Sequence, residues 1–460
     1  MEKILIVGAG PVGCLLALRL VEKGYKVTLL ERGSWEEIEN AKDNGKAINL
    51  TLCDRGLKAL AGLSVSGDIH QLSVPAYGRC IHDLDGNTVF QPYGNRGEAL
   101  FSIQRSDLGK AFLKQVMGHP DIDLRLKHKC LAIHWLPLAV EVKNLQNGST
   151  YLEPADRVLG ADGAYSSVRS ILQRSGRFNY SQEFLDQGYK EIVFPKTARA
   201  PWANTKTALH MWPRDRYMLL GFPNVDGSFT CSLHMPFEGE SAFSSFTSPG
   251  EIASFLRRAF PDVVEDLPGL AEVFQRSGAN SMINIRCSPW SLEGKVALIG
   301  DAAHVIFPYY GQGANAGFED CSVLMECLEQ TRHHWPEALK KYERLRKPNM
   351  DAIADLCKEH YFELRKSLAD PQFVFRKQIE RRISELYPDR YQPLYNMIAF
   401  TQMPYVEALA IDQEQRLLIE EIMGTGNIGP QWTQSQIDAA IDSVVQASVL
   451  SSSLVAQAPA

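Results

Sequence analysis

Two glycine-rich stretches hold the residue types best suited to binding chemistry, and the first begins at Gly8. Its letters, GAGPVG, place Gly8, Gly10, Pro11 and Gly13 in the pattern GxGxxG, and Glu31 follows 18 residues after Gly13. Glycines at this spacing allow a tight turn that brings a pyrophosphate against a helix N-terminus, where unpaired N–H groups favour negative charge. Glu31 would accept hydrogen bonds from ribose hydroxyls. The stretch predicts a dinucleotide site, with a purely structural glycine turn as the alternative.

The second stretch, GDAAHVIFPYYGQGANAGFED, occupies residues 300–320. Its last glycine comes one residue too late for the same pattern, so we expect no second dinucleotide turn there. Asp301 could bind a polyol hydroxyl, or it could be a simple turn or cap residue. The helix that begins near Ala314 would point its N-terminus at a group that becomes anionic. A flavin that is reduced is such a group.

The elements around these stretches are typical of an α/β protein. KILIVGAG and YKVTLLE have the apolar character of buried strands, and the intervening PVGCLLALRLVEKG has helical periodicity, so together they predict a βαβ unit. The segments LRLKHKCLAIHWL and VEVKNL, separated by turn residues, predict a hairpin. DRVLGADG and KVALIGD are further apolar strands, and the second of them leads directly into the second glycine stretch.

The segment from about residue 180 to 285 has a different character. YKEIVFP, ALHMWP, RYMLLGFP and GSFTCSLHMP are short strands bounded by Pro, Gly and Asp, which predicts a mixed or antiparallel sheet in a second domain. Beyond Ala314 the pattern is helical.

Composition excludes several classes of protein. The chain has 460 residues and a net charge of -6, which argues against a dedicated nucleic-acid surface. Its nine cysteines are scattered, with no CxxC pair or zinc pattern, so we expect reduced thiols, a cytoplasmic location and no metal. Asp442 and Gln446 interrupt the apolar C-terminal run before it reaches the roughly 20 residues of a membrane span. That run predicts a fraying helix and a disordered tail.

Three segments together carry a resemblance. GAGPVG with LLER, GADGAYSSVR, and ALIGDAAHVIFPYYGQGANAGFEDC resemble the three FAD fingerprints of the single-component flavoprotein aromatic hydroxylases, in that family's order. The resemblance implies one noncovalent FAD across both glycine stretches. It implies a Rossmann-like, glutathione-reductase-like FAD-binding domain from residues 1–180 and 286–330, a mixed-sheet substrate domain at 181–285, and an α-helical C-terminal domain at 331–460.

The same resemblance implies where the cofactor is bound. The first turn would hold the ADP, Asp301 the ribityl chain, and the loop from Gln312 the isoalloxazine. The implied FAD contacts are Gly8, Gly10, Pro11, Gly13, Glu31, Arg32, Thr51, Arg105, the backbone near Cys130, Asp301, Gln312, Gly313, Ala314 and Asn315.

A narrower resemblance covers nearly the whole chain. KAINLTLCDRG, GRCIHD, QPYG, GYKEI, ALHMWP and YQPLYNMIAFTQMPY are similar to segments of the kynurenine 3-monooxygenase family. It implies that Arg79 and Tyr93 bind an amino-acid carboxylate, with Tyr395 as a further contact; without the resemblance, Arg79 would be a surface arginine and the two tyrosines core residues. The implied substrate residues are Arg79, Tyr93, Leu209, Leu220, Phe222, His234, Tyr309, Tyr310, His360 and Tyr395.

Three positions depart from that family. His360 stands where asparagine is usual, His234 where phenylalanine is usual, and Tyr309-Tyr310 where Phe-Phe or Phe-His is usual. These departures predict a pocket that is more polar than the family's.

The function that the resemblance implies is an FAD monooxygenase that uses NADPH and O2 to hydroxylate L-kynurenine at the carbon next to its ring amine. Because that amine supplies electron density to the ring, we expect no acid or base side chain, and we interpret His304 as structural. Two alternatives stay open: a hydroxylase of a related aromatic amino-acid-like substrate in secondary metabolism, and a non-hydroxylating flavoprotein of the same fold, such as a reductase.

Overall fold

The computed structural model describes residues 2–39, 49–94, 97–196, 205–264, 270–276, 278–367, 371–424, 429 and 432–447. The chain divides into two compact units, Met1–Lys347 and Pro348–Ala460. The described strands are β1 (Lys3–Val7), β2 (Lys26–Leu30), β3 (Asn49–Leu52), β4 (Ser73–Ala76), β5 (Gly78–His82), β6 (Thr88–Pro92), β7 (Leu100–Gln104), β8 (Ile122–Arg125), β9 (His128–Trp135), β10 (Leu138–Asn144), β11 (Thr150–Pro154), β12 (Arg157–Gly160), β13 (Asn179–Phe194), β14 (Leu209–Arg214), β15 (Tyr217–Pro223), β16 (Phe229–Pro236), β17 (Asn280–Ser288), β18 (Ser291–Leu292), β19 (Val296–Leu298) and β20 (His304–Val305).

Helices complete the first unit and make up the second. They are α1 (Pro11–Glu22), α2 (Trp35–Glu39), α3 (Asp54–Leu60), α4 (Val65–Gln71), α5 (Arg105–Met117), α6 (Ser167–Arg174), α7 (Pro249–Ala259), α8 (Pro261–Val264), α9 (Leu270–Arg276), α10 (Gly313–Gln330), α11 (Trp335–Ser367), α12 (Pro371–Leu386), α13 (Leu394–Ala399), α14 (Tyr405–Gly424) and α15 (Gln434–Ala447). None of the helices in the described ranges is long and apolar enough to cross a membrane.

A six-stranded sheet forms the centre of the first unit, in the order β18-β19-β12-β1-β2-β8. Its neighbours pair in parallel except for β18 with β19. The strand β1 is almost entirely buried, as expected of a parallel strand covered on both faces. The predicted βαβ unit is confirmed as β1-α1-β2, and the predicted α/β class is confirmed with it.

The described part of the first unit also contains two small antiparallel sheets of three strands each. The predicted hairpin is confirmed as β9 and β10, and β11 extends it to three strands. The second small sheet has the order β3-β7-β4.

An eight-stranded sheet has the order β20-β17-β13-β16-β15-β14-β5-β6 and is antiparallel except between β14 and β5. One of its faces packs in a core with α7, α8 and α9 and includes Ile192, Trp212, Leu219 and Leu233. Burial alternates along β14 and β15, so that the residues between these core positions are only partly buried. We call the opposite face of this sheet the site face.

The eight-stranded sheet draws on segments that lie far apart in the chain. The range 181–285 contains most of it, but β5, β6 and β20 come from outside that range. The strand β5 has five residues and pairs with β14 about 130 positions later, a contact that no local pattern indicates. The division into three domains remains a prediction.

The second unit is helical in its described part. Its core includes Phe375 and Ile379 of α12, Ile422 of α14 and Ile441 of α15. Residues 448–460, which belong to the predicted tail, lie outside the described residues.

Candidate active site

The first glycine stretch forms a turn that tolerates no side chain at two positions. Gly8 has a φ of 101°, and a Cβ there would lie 2.5 Å from the carbonyl oxygen of Ala161. A Cβ on Gly13 would lie 1.9 Å from the carbonyl oxygen of Gly8. At Gly10, which precedes α1 without a side-chain cap, a Cβ would meet nothing within 4 Å. The turn thus combines uncapped helix N–H groups with open space, which fits a pyrophosphate.

Glu31 is held against this turn by the backbone. Its Oε2 accepts from the N–H of Ala9 at 2.9 Å, and its Oε1 accepts from the N–H of Gly33 at 2.8 Å. Each carboxylate oxygen can accept more than one hydrogen bond, so the predicted bond to ribose is compatible with this arrangement. The neighbouring Arg32 is exposed.

The two glycine stretches meet at Val12. A Cβ on Gly300 would lie 3.1 Å from Val12 Cγ1, and a Cβ on Gly317 would lie 2.8 Å from Val12 Cγ2. The small residues of the second stretch therefore allow it to pack directly on the first. The structure brings together the two loops that the sequence analysis assigned to one cofactor.

Asn315 holds the loop before α10 in place. Its Nδ2 donates to the carbonyl oxygens of Thr51 and Gly311, both at 2.8 Å, and its Oδ1 accepts from the N–H of Cys53 at 3.0 Å. Gly311 has a left-handed φ of 64°, and a Cβ there would lie 2.5 Å from Thr51 Oγ1. Asn315 and Thr51 thus stabilise the conformation of this loop.

The N-terminus of α10 has no side-chain cap. The side chain of Gln312 donates to the carbonyl oxygen of Tyr310 at 3.2 Å and does not cap the helix. A Cβ on Gly313 would meet nothing within 4 Å. The N–H groups of the first turn, which includes Ala314, can therefore face an electron-rich group.

Asp301 lies in the short turn Gly300–Ala302, half-buried. Burial raises the pKa of Asp301, while Arg105, the exposed first residue of α5, acts in the opposite direction. Arg169 donates to the carbonyl oxygens of Ala302 at 2.9 Å and Ala164 at 2.5 Å. Sequence reasoning assigned no role to Arg169, although it ends the fingerprint GADGAYSSVR.

A buried cluster of charged side chains holds the turn Gly300–Ala302 in place. Asp320 of α10 accepts from the N–H of Gly300 at 3.1 Å, from His304 Nε2 at 2.6 Å and from Arg346 Nε at 2.6 Å. Burial alone would raise the pKa of Asp320, but His304 and Arg346 hold that pKa below its ordinary value. His304 is engaged with Asp320, in keeping with its interpretation as a structural residue.

Cys130 is buried on β9, in contact with the second fingerprint. Burial, together with the charge of Asp162, raises the pKa of the Cys130 thiol to about 12. Asp162 accepts from the N–H of Ser167 at 2.6 Å, at the start of α6. The thiol stays protonated, so only the backbone near Cys130 is suited to the predicted FAD contact.

Arg79 and Tyr93 lie together at one end of the site face. The Arg79 Cζ is 5.4 Å from the centroid of the Tyr93 ring, a cation–π arrangement. Leu209 of β14 pairs with Arg79 of β5. The structure therefore brings the predicted carboxylate partners next to the predicted apolar residues.

The middle of the site face is apolar. Leu209 and Met211 of β14 and Leu220 and Phe222 of β15 are all half-buried, in contrast to the fully buried residues between them. Met211 pairs with Leu220 across the two strands. This region, which we call the apolar lane, offers a surface suited to an aromatic ring.

His234 of β16 lies on the site face beyond the apolar lane. Its ring centroid is 5.6 Å from that of Tyr189 and 6.2 Å from that of Tyr309, and its Nε2 is 3.0 Å from Ser232 Oγ. Burial lowers the pKa of His234 to about 4, so the ring is neutral at physiological pH. Tyr309 donates to Met282 Sδ at 3.6 Å, and Tyr310 is buried.

Two predicted substrate residues belong to the second unit. His360 of α11 and Tyr395 of α13 are both half-buried. The Tyr395 ring lies 6.3 Å from the Phe400 ring.

Sequence reasoning missed two polar residues of the site face. Ser232 of β16 and Glu191 of β13 pair directly with each other, and both share the face of His234. The signal was available, since Ser232 lies two positions from His234 in a strand and must point the same way. What the sequence lacked was the strand order that places Glu191 opposite Ser232.

Comparison with known proteins assigns the chain to a family. Residues 1–356 match the FAD binding domain family. A kynurenine 3-monooxygenase of Flavobacterium johnsoniae is 38% identical over 444 residues, covering 96% of this chain and 99% of the relative. A kynurenine 3-monooxygenase of Legionella pneumophila is 37% identical over 426 residues, covering 92% of this chain and 93% of the relative.

Solved structures share the fold. The tetrameric form of 2-methyl-3-hydroxypyridine-5-carboxylic acid oxygenase superposes with a TM-score of 0.64 at 21% identity, covering 81% of this chain and 95% of that one. The tetracycline destructase Tet(51) superposes with a TM-score of 0.60 at 18% identity, covering 88% of this chain and 100% of that one.

Proposed function

The chain belongs to the family of kynurenine 3-monooxygenases and carries the FAD binding domain, and on that premise we propose that it hydroxylates L-kynurenine to 3-hydroxykynurenine with FAD, NADPH and O2. The observation that carries the proposal is the order in which charged, aromatic and apolar side chains follow one another across the site face. Arg79 and Tyr93 lie at one end, and the apolar lane follows beside them. This order matches a substrate that joins a carboxylate to an aromatic ring.

FAD would supply the redox chemistry that couples NAD(P)H oxidation to the activation of O2, the source of the oxygen atom added to the ring. The chain's own residues would hold FAD without a covalent link. The turn from Gly8 to Gly13 would bind the pyrophosphate, Asp301 would bind a hydroxyl of the ribityl chain, and the N-terminus of α10 would face the flavin ring. These roles are supported by the open space at Gly10 and Gly313 and by the uncapped helix ends.

The substrate residues act by orientation. Arg79 binds the carboxylate through two parallel N–H bonds, and the apolar lane holds the ring and excludes water. We assign no acid or base, because the ring amine activates the neighbouring carbon and because the pKa of His234, about 4, is too low for the ring to hold a proton near neutral pH. The substrate roles of His360 and Tyr395 stay predictions.

The enzyme works in the cytoplasm in this proposal. All nine cysteines are free and buried, which suits a reducing compartment. Neither alternative from the sequence analysis is favoured, because the relatives that match over nearly the whole chain carry the same name.

Product analysis tests the function. The FAD-loaded protein is incubated with NADPH and either L-kynurenine, tryptophan or anthranilate, and products are identified by mass spectrometry. We expect 3-hydroxykynurenine from kynurenine and no hydroxylated product from the other two compounds. A protein that oxidises NADPH in the presence of kynurenine but forms only hydrogen peroxide would not be a kynurenine hydroxylase.

A further inference from the structure

Glu191 is a half-buried acid on the site face to which the proposed function assigns no role. It lies on β13 between the buried residues Lys190 and Ile192, and Ile192 belongs to the core on the other side of the sheet. Its side chain therefore extends on the site face, opposite Ser232. The Oε2 atom of Glu191 is buried and has no hydrogen-bond partner among the described residues. A buried carboxylate oxygen without a donor is costly, which indicates that a ligand supplies the donor.

The position of Glu191 on the sheet gives the class of that ligand. Met211, Leu220, Ser232 and Glu191 follow one another across four neighbouring strands, in one row of the sheet. Arg79 begins the adjacent row on β5. Across the site face the order is thus a cation, the apolar lane and a carboxylate. A ligand that has its carboxylate at Arg79 and its aromatic ring on the apolar lane meets Glu191 through an N–H donor carried by that ring.

Arg79 and Glu191 lie on strands that are well separated in the sheet. Three strands lie between β5 and β13, so the two backbones are about 19 Å apart at the usual strand spacing. Arg79 and Glu191 both have long side chains, which can lean along the site face and shorten this separation. A ligand of the size of kynurenine contacts both residues when the two side chains lean towards each other.

The charged and titratable groups near Glu191 come from three elements. They are Arg105 at the start of α5, Tyr189 on the same strand and His234 on β16. Burial raises the pKa of Glu191 to about 7, and Arg105 opposes that shift. Burial also raises the pKa of Tyr189 and lowers that of His234 to about 4. Among these neighbours, Glu191 is the group that changes its charge near neutral pH.

We propose that Glu191 is a substrate-binding residue whose Oε2 accepts a hydrogen bond from the ring amine of the substrate. The proposal rests on the proposed function, since kynurenine carries that amine. The contact fixes the ring so that the carbon next to the amine is the one presented for hydroxylation. Attack on that carbon moves positive charge towards the amine nitrogen, and a carboxylate placed there stabilises it.

Binding measurements on the FAD-loaded protein test this contact without turnover. Calorimetry compares L-kynurenine with the analogue that lacks only the ring amine, for the parent, Glu191→Leu and Glu191→Gln. We expect Glu191→Leu to weaken kynurenine binding about tenfold or more, because it removes the acceptor, and to leave the analogue within about twofold. Glu191→Gln retains an amide oxygen and should show a smaller loss. Arg79→Lys is the matched control and should weaken both ligands.

A pH series gives an independent readout. Kynurenine affinity of the parent should increase between about pH 6 and 8, as Glu191 loses its proton and becomes a better acceptor. The analogue, and kynurenine with Glu191→Gln, should lack that part of the increase.

Several results would overturn the amine contact. Equal losses for both ligands, no loss for kynurenine, or a loss of FAD from Glu191→Leu would each place Glu191 elsewhere in the site. If the parent protein binds neither ligand, the proposed function fails, and the amine contact fails with it.

Discussion

The turn that starts at Gly8 and the site face of the eight-stranded sheet are built in different ways. The turn depends on backbone: Gly8 and Gly13 leave no room for a Cβ, and both lie within six consecutive residues. The site face depends on side chains from five strands, β5, β14, β15, β16 and β13, that the chain visits in another order. Where a site is formed by the backbone, few residue types are allowed at each of its positions. Where a site is formed by side chains at alternate strand positions, substitutions can change the ligand without changing the fold.

The largest loss of stability is expected from a substitution in the buried ion cluster of Asp320, His304 and Arg346. Asp320→Asn removes one of the two carboxylates that contact buried Arg346, the other being Glu319, and losing one partner of a buried ion pair costs up to about 3–5 kcal/mol of the free energy of unfolding. Thermal or denaturant unfolding measures it. Asp121→Asn, at an exposed position, is the control and should stay within about 0.5 kcal/mol.

The same pair predicts a dependence on acid. The pKa of Asp320 lies below its ordinary value in the folded protein, so its contribution is complete above about pH 4 and is lost as pH falls further. The parent should lose stability in that acid range more steeply than Asp320→Asn. Parallel curves for the two proteins would show that Asp320 is not the group that titrates.

Two glycines of the first turn should respond differently to the same substitution. Gly13→Ala forces a Cβ against the Gly8 carbonyl and should destabilise the FAD-free protein by about 1–3 kcal/mol. Gly10→Ala meets open space and should leave that stability within about 0.5 kcal/mol, yet weaken FAD binding. Unfolding of the FAD-free protein and fluorescence titration with FAD separate the two effects. Equal FAD affinity in Gly10→Ala and the parent would remove the pyrophosphate from this turn.

On the site face, changes should alter substrate binding and spare the cofactor. Arg79→Lys keeps the charge but loses the paired N–H bonds, and we expect the KM for kynurenine to increase about tenfold or more with FAD still bound. Steady-state kinetics and the flavin absorbance of the same sample measure both. An unchanged KM would return Arg79 to the role of a surface arginine.

The smallest expected effect is at His234. His234→Phe removes the bond to Ser232, worth about 1 kcal/mol, and should change kynurenine affinity by less than about tenfold. Because the pKa of His234 is about 4, the substitution should not change how that affinity varies between about pH 6 and 8. Ser232→Ala removes the same bond and is the matched control. A pH profile altered only by His234→Phe would mean that the ring is charged in the complex.

The same difference explains which elements could be predicted from the sequence alone and which could not. The βαβ unit and the hairpin from His128 to Asn144 were predictable, because their signals lie in consecutive residues. The first part of β13 was not: Asn179 to Gln182 are polar and exposed, and only pairing with β17 makes them a strand. The neighbourhood of Glu191 was hidden for a similar reason, since Ser232 lies opposite it only after two distant strands have paired.

A crystal structure of the protein with FAD and L-kynurenine tests most directly whether the two regions form one site. We expect the flavin ring at the N-terminus of α10 and the pyrophosphate at Gly10. We expect the substrate carboxylate within about 2.7–2.9 Å of the Arg79 guanidinium, with the ring on the apolar lane. FAD that contacts the first glycine stretch alone, or a substrate carboxylate bound away from Arg79, would contradict a single shared site.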